Sequence, residues 1–287
     1  MNPTVVAGLD HTPESRAAAL WAADEAARRD LPLRLVHVRE IAPYTLNSLS
    51  GTGELAHGPE HLLKRVADEL KAVHPGLTVI TDVVPGLPEA ALARSAGDAG
   101  LLVLGSRALG PVTGYLVGSI ALAVVARARR PVVLVRAPGH DGARHDDGDV
   151  VLGVDITHPC DDLFAFAFEA AALRGTILRV IHGYDLPSVE SFAMVPDPDR
   201  YTAVATARGR ALGDALRPWQ HRYPEVKVTE DIVVGGAARH LTEAATTAAL
   251  LVVGRRRPRT PLGPRIGSVT HTVLHHGLAP VAVVPHD

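Results

Sequence analysis

The 287-residue chain repeats itself, and that repeat limits its fold more than any other feature. Val5-Val6-Ala7-Gly8-Leu9-Asp10 returns as Val151-Leu152-Gly153-Val154-Asp155, which sets Asp10 against Asp155 at an offset of 145. His37, near the end of an apolar run, returns as His182 at the same offset. Leu101 to Gly105 returns as Leu250 to Gly254, Gly118-Ser119 as Gly267-Ser268, and Pro131 to Val135 as Pro280 to Val284, all at an offset of 149. Ordered matches at near-constant spacing mark a duplicated unit. The expected division is a first domain over 1–138, a linker over 139–148 rich in Gly, Asp and His, and a second domain over 149–287. A length prior of roughly 150 residues per domain agrees.

Within the first copy, short apolar runs alternate with helical patterns. The pattern predicts strands at 4–9, 33–38, 77–84, 101–105 and 132–136, and helices at 13–29, 59–73, 88–98 and 115–128. Strands rich in Val and Leu without polar alternation are buried on both faces, as parallel strands beneath helices are. Thr12-Pro13 and His158-Pro159 place a proline in a first helical turn, where its missing N–H costs nothing. Strands alternating with helices imply right-handed crossovers. The expected fold class is α/β, with two tandem doubly wound five-stranded parallel sheets. The irregular stretch from Tyr44 to Pro59 is read as a loop over the site.

Several function classes drop out. The net charge of −2 gives no overall field for nucleic acid or an anionic membrane. A single cysteine, Cys160, excludes an intrachain disulfide and suits a reducing compartment. The N-terminus lacks the basic start and apolar core of a signal peptide, and no run reaches the ~20 apolar residues of a membrane helix. A cytoplasmic protein is expected. No Gly-x4-Gly-Lys-Ser/Thr loop and no Gly-x-Ser-x-Gly elbow occurs. The three lysines, Lys64, Lys71 and Lys227, lie outside the repeated glycine segments.

Open α/β sheets bind ligands beyond the carboxyl ends of their strands, where the strand order reverses. Asp10 and Asp155 follow the first strand of each copy, Gly105 and Gly254 end the fourth, and Gly118-Ser119 and Gly267-Ser268 precede the next helix. A glycine permits close backbone approach. A helix start offers free N–H groups that suit phosphate, and a carboxylate accepts hydrogen bonds from ribose hydroxyls or an adenine amino group. These residues imply a nucleotide. Gly105-Ser106-Arg107-Ala108, nine residues, Gly118-Ser119, and Gly254-Arg255-Arg256-Arg257, nine residues, Gly267-Ser268, resemble the phosphate-binding pattern of the universal stress protein family. The resemblance spans nearly the whole chain and implies that family's nucleotide α-hydrolase-like fold. It also implies ATP, with or without magnesium, as the ligand. In the first copy it assigns contacts to Asp10, Val38, Gly105, Arg107, Ala108, Gly118 and Ser119. In the second it assigns them to Asp155, Gly183, Gly254, Arg256, Arg257, Gly267 and Ser268.

Both copies depart from the family pattern at its second glycine. Ala108 costs on the order of 1 kcal/mol if that position has positive φ, and little otherwise. Arg257 either blocks the pocket or offers its guanidinium to phosphate. Arg255, Arg256, Arg257, Arg259 and Arg265 form either a phosphate clamp or a solvated loop. His37 and His182 read as packed, hydrogen-bonded core residues, Cys160 as an inert residue at a helix start, and His57 with His61 as no metal pair. Without an evident base or water-positioning residue, fast phosphoryl transfer is not expected. The expectation is a non-enzymatic, ATP-binding regulatory protein whose occupancy alters binding of a protein partner not identifiable from sequence. Its alternatives are an ATP-using, adenylating enzyme and a scaffold that has lost the nucleotide. The last strand of each copy, Val132–Val135 and Val281–Val284, is an apolar edge through which the halves, or two chains as a homodimer, are expected to pair.

Overall fold

A computed structural model describes residues 3–40, 58–97, 99–106, 117–137, 147–184, 198–257 and 266–287. The chain divides into two units, Met1–Gly142 and Ala143–Asp287. In the first unit the elements are β1 (Val5–Gly8), α1 (Pro13–Arg28), β2 (Leu33–Arg39), α2 (Pro59–Val73), β3 (Val79–Pro85), α3 (Pro88–Gly97), β4 (Leu101–Ser106), α4 (Ser119–Arg127) and β5 (Val132–Arg136). The second unit contains β6 (Val150–Gly153), α5 (Asp161–Arg174), β7 (Leu178–Tyr184), α6 (Pro198–Arg222), β8 (Val228–Val234), α7 (Ala237–Ala244), β9 (Leu250–Arg256), α8 (Ser268–His276) and β10 (Val281–His286).

Each unit is a parallel α/β sheet. The first runs β3-β2-β1-β4-β5, with Val5 opposite both Leu33 and Leu101. The second repeats the order as β8-β7-β6-β9-β10. The chain winds outward from β1 to β3, then returns past β1 to lay down β4 and β5. A crevice therefore opens beyond the carboxyl ends of β1 and β4, and likewise beyond β6 and β9.

The inner strands are aliphatic because both faces are covered, whereas the edge strands β3 and β8 are half-exposed and carry polar residues. Val5, Val6, Ala7, Leu102 and Val103 are fully buried, as are Leu152, Leu250, Leu251 and Val252. Helix α1 presents Ala18, Ala19, Ala22, Ala23 and Ala26, all fully buried, at helical spacing. Such small side chains bring its axis close to the sheet, and that closeness matters at the site. Helix α5 packs larger groups instead: Phe168 stacks on Trp219, while Phe164 meets Trp219, and Tyr223 meets Phe168, at a tilt.

The helix starts depart from the sequence expectation in two places. Thr12 caps α1, its hydroxyl accepting the Ser15 amide at 3.2 Å, with Pro13 in the first turn. In the second unit Cys160 occupies the cap and α5 begins at Asp161, so Pro159 precedes the helix rather than opening it. Helix α4 begins at Ser119 rather than near 115, which makes Gly118 its cap. Of the stretch read as a loop over the site, 44–57, His57 among them, lie outside the described residues. No helix among the described residues is long and apolar enough to cross a membrane.

Candidate functional site

In both units the carboxylate after the first strand is held by the same local turn. Asp10 Oδ1 accepts the Thr12 amide at 2.8 Å and the Thr12 hydroxyl. Asp155 Oδ1 accepts the Thr157 amide at 3.1 Å and the Thr157 hydroxyl at 2.6 Å. Burial pushes the Asp155 carboxyl up, but the two Thr157 donors and neighbouring His158 more than reverse this and hold it below the usual carboxylate value. Both aspartates are exposed and remain able to accept from a ligand. The repeated Asp-x-Thr triplet was a legible signal for this turn that the sequence reading passed over.

The strand-end histidines lock neighbouring strands together. His37 Nδ1 donates to the Leu9 carbonyl at 2.9 Å, and His182 Nδ1 donates to the Val154 carbonyl at 3.0 Å. A carbonyl only accepts, so the proton sits on Nδ1 in each case. His182 is 2% exposed, and its Nε2 has no partner among the described residues.

Gly105 has a different purpose from the one its sequence suggested. Its φ is not positive, so it makes no left-handed turn. A Cβ there would lie 2.6 Å from the backbone of Glu14 and Ser15, in the first turn of α1. The glycine therefore admits the helix against the sheet. Gly183 is alike, since its Cβ would meet the Ala237 backbone nitrogen at 2.9 Å. Gly254 is blocked instead by side chains, the His286 Nε2 at 2.6 Å and a Leu163 methyl at 3.0 Å.

Opposite these walls stand two uncapped helix starts. Gly118 (φ −58) and Gly267 (φ −71) cap α4 and α8 without any side-chain hydrogen bond. A Cβ at either would meet nothing within 4 Å. The first backbone bonds of these helices are Leu122 to Gly118 and His271 to Gly267. Among the described residues, the amides of Ser119, Ile120 and Ala121, and of Ser268, Val269 and Thr270, therefore lack acceptors. Three N–H groups and the positive end of a helix dipole are thus left without a partner among the described residues of each unit.

The structure brings the described candidates together around two clefts. Asp10, Val38, Gly105, Gly118 and Ser119 line one of about 460 Å³. Asp155, Gly183, Gly254, Arg256, Arg257, Gly267 and Ser268 line the other, of about 640 Å³. Both volumes fall in the range of ~300–1,000 Å³ common for small-molecule sites. Arg107 and Ala108 lie outside the described residues. Arg257 neither fills its cleft nor stands loose: its guanidinium reaches Asp287 at 2.9 Å and Asp162 at 3.7 Å. Arg255 is buried rather than part of a solvated loop.

The sequence reading missed several lining residues. Gly235, with φ +86, turns the chain after β8 and lines the second cleft, while Gly86, with φ +138, makes the matching turn after β3. Their offset of 149 was visible in the repeat. His286 and His158 also line the second cleft. His286 Nδ1 donates to the Pro159 carbonyl at 3.0 Å, a contact across 127 residues that no local pattern signals. Cys160 lies in the same wall, its thiol pushed up to about 11 by burial and by Asp161 and Asp155.

The comparisons agree with this doubled architecture. The universal stress protein family matches residues 1–136 and again 148–285. A universal stress protein of Mycobacterium tuberculosis strain H37Rv is 31% identical over 287 residues, covering 97% of this chain and 96% of its own length. One from Mycolicibacterium smegmatis is 33% identical over 291 residues, covering 98% and 96%. The crystal structure of a universal stress protein from Archaeoglobus fulgidus matches 99% of this chain and 98% of its own, with a TM-score of 0.68 at 15% identity, a likeness of fold. With two matching domains, two equivalent sheets and relatives similar over nearly their full length, the chain belongs to the universal stress protein family as a tandem, two-domain member.

Proposed function

We propose that each unit holds an adenine nucleotide, ATP in the first place, and that occupancy regulates the chain's association with a protein partner. The observation that supports this most is the open cradle at Gly118 and Gly267. Three unpartnered amides there face a space that any side chain would fill. Phosphate fits that chemistry through charge-assisted N–H bonds and the helix dipole. Asp10 or Asp155, on the opposite wall, accepts from sugar or base. Magnesium, where present, would arrive on the phosphates.

The protein binds rather than turns over its ligand in this reading. Nδ1 of His37 and of His182 is committed to a carbonyl, and His158 Nε2 accepts from Arg256. Hydrolysis, where it occurs, is slow against the usual enzyme range of about 1 to 10³ per second.

The test uses the full chain and the variants Gly118→Val and Gly267→Val. Both positions have ordinary φ and open space, so the substitutions fill the cradles without disturbing the fold. Calorimetric titration with ATP should give two sites in the parent, one in each variant and none in the double variant. Losing even two charge-assisted bonds, about 1.5–3 kcal/mol each, weakens binding more than 100-fold. Unchanged stoichiometry in the double variant would overturn the assignment, and steady release of AMP and pyrophosphate would replace it with an adenylating enzyme.

A further inference from the structure

We propose that His158 makes phosphate binding in the second cleft proton-coupled, competing with the ligand for Arg256 when neutral and releasing Arg256 when protonated. This rests on reading the second cleft as a nucleotide site. Arg256, at the end of β9, donates Nη1–H to His158 Nε2 at 2.7 Å, across 98 residues of sequence. A guanidinium cannot accept, so Nε2 must present its lone pair. On the other edge of the ring, Nδ1 lies 3.2 Å from Asp155 Oδ2 and 2.9 Å from the Thr157 hydroxyl. A carboxylate only accepts, so Nδ1 carries the proton. The two contacts together define one neutral tautomer.

A second proton has no place in that arrangement. An Nε2–H would point at a donor, and imidazolium would face guanidinium across a hydrogen-bond distance. Protonation therefore frees the Arg256 donor and adds a positive charge to the cleft. Both changes favour an anion at the nearby Ser268 amides. By linkage, a bound phosphate favours the protonated imidazole and so draws a proton in.

Among the described residues, the other charged and titratable groups around this cleft are already engaged or neutral. On the ring's own loop, Asp155 remains a carboxylate. Arg257 is tied to Asp287 and Asp162, and His286 Nδ1 donates to Pro159. The Cys160 thiol stays protonated through the physiological range. The first unit has no histidine at the matching position: three residues after Asp10 stands Pro13, where three after Asp155 stands His158.

The experiment uses the full chain carrying Gly118→Val, which closes the first cradle, with and without His158→Gln. Glutamine keeps an acceptor within reach of Arg256 but does not titrate, and residue 158 is exposed enough to accept it. ATP is titrated calorimetrically at pH 6, 7 and 8, in buffers of different ionisation enthalpy. Titration of ATP's own terminal phosphate, near pH 6, is common to both proteins and cancels in their ratio. The His158 protein should gain affinity relative to His158→Gln as pH falls, by at most about tenfold per pH unit for one proton. It should also take up more protons on binding, by up to one. Bound ATP with coincident pH profiles and equal proton uptake overturns the inference alone. No binding by the parent at any pH overturns the nucleotide reading with it.

Discussion

Replacing Gly105 by alanine tests whether helix packing, rather than a turn or a ligand, demands that glycine. The added Cβ would sit 2.6 Å from Glu14 C and Ser15 N and 2.8 Å from Glu14 O. Comfortable separations are about 3.5–4.0 Å, so the walls must part by roughly 1 Å. Neither wall yields easily. Gly105 is paired in register with Val135 inside the sheet. Ser15 exchanges hydrogen bonds with the Asp10 backbone at 3.1 and 2.9 Å. Overpacking costs about 1–3 kcal/mol, and with backbone on both sides the upper end is expected. For a unit of this size that corresponds to a fall in Tm of about 10 °C. Gly254→Ala should cost less, about 1 kcal/mol, because its obstacles are the His286 and Leu163 side chains. Gly118→Ala meets nothing within 4 Å and should stay within ~0.5 kcal/mol of the parent. Urea unfolding followed by Trp21 fluorescence reads the first unit, once Trp219 is replaced by phenylalanine. Trp21 is 2% exposed in α1, so its emission tracks the helix that must move. Equal stability of Gly105→Ala and Gly118→Ala would refute the clash.

Two further outcomes follow from the second cleft. With its thiol pushed up to about 11 from 9.0, Cys160 should carry about 100-fold less thiolate at pH 8 than an ordinary cysteine. Native protein should therefore react slowly with iodoacetamide and rapidly only after unfolding in urea; equal rates would contradict its burial. Asp155→Asn should destabilise the second unit at neutral pH. The folded carboxyl is held low, so its contribution is present above the unfolded value near 4 and is lost as pH falls through the folded one. The gap between variant and parent should close on acidification, and a gap constant from pH 7 to pH 3 would show that the carboxylate's charge is irrelevant.

The doubled sheet was readable because its signals are local. Uniform Val and Leu runs demand cover on both faces, and Asp10, Gly118 and their partners recur at fixed offsets. The position of Gly105 was legible too, but its reason was not. The space it leaves is filled by α1, some ninety residues earlier, and that helix comes close only because alanines line its buried face. Helix starts were misplaced where a cap differs from the usual polar residue. Gly118 carries no capping side chain and Cys160 makes no capping bond, so nothing local announces either boundary.

The same distinction explains why two copies of one cradle need not behave alike. The backbone features recur in both: the Asp-x-Thr turn, the strand-locking imidazole, and the glycine that leaves a helix start open. These depend on chain geometry, and a duplicated sequence reproduces them. The groups that decide how strongly and at what pH an anion is held are side chains reaching across the sheet, and these differ. Asp10, Glu14 and Glu40 bring carboxylates to the first cleft. In the second, Asp155 is joined through His158 to Arg256. One exchange, proline for histidine three residues beyond the aspartate, suffices to place a titratable ring between the carboxylate and the guanidinium. Divergence of the two units therefore requires no change of fold. It is expected first at positions such as 158, where a side chain on a loop meets the end of a strand nearly a hundred residues away.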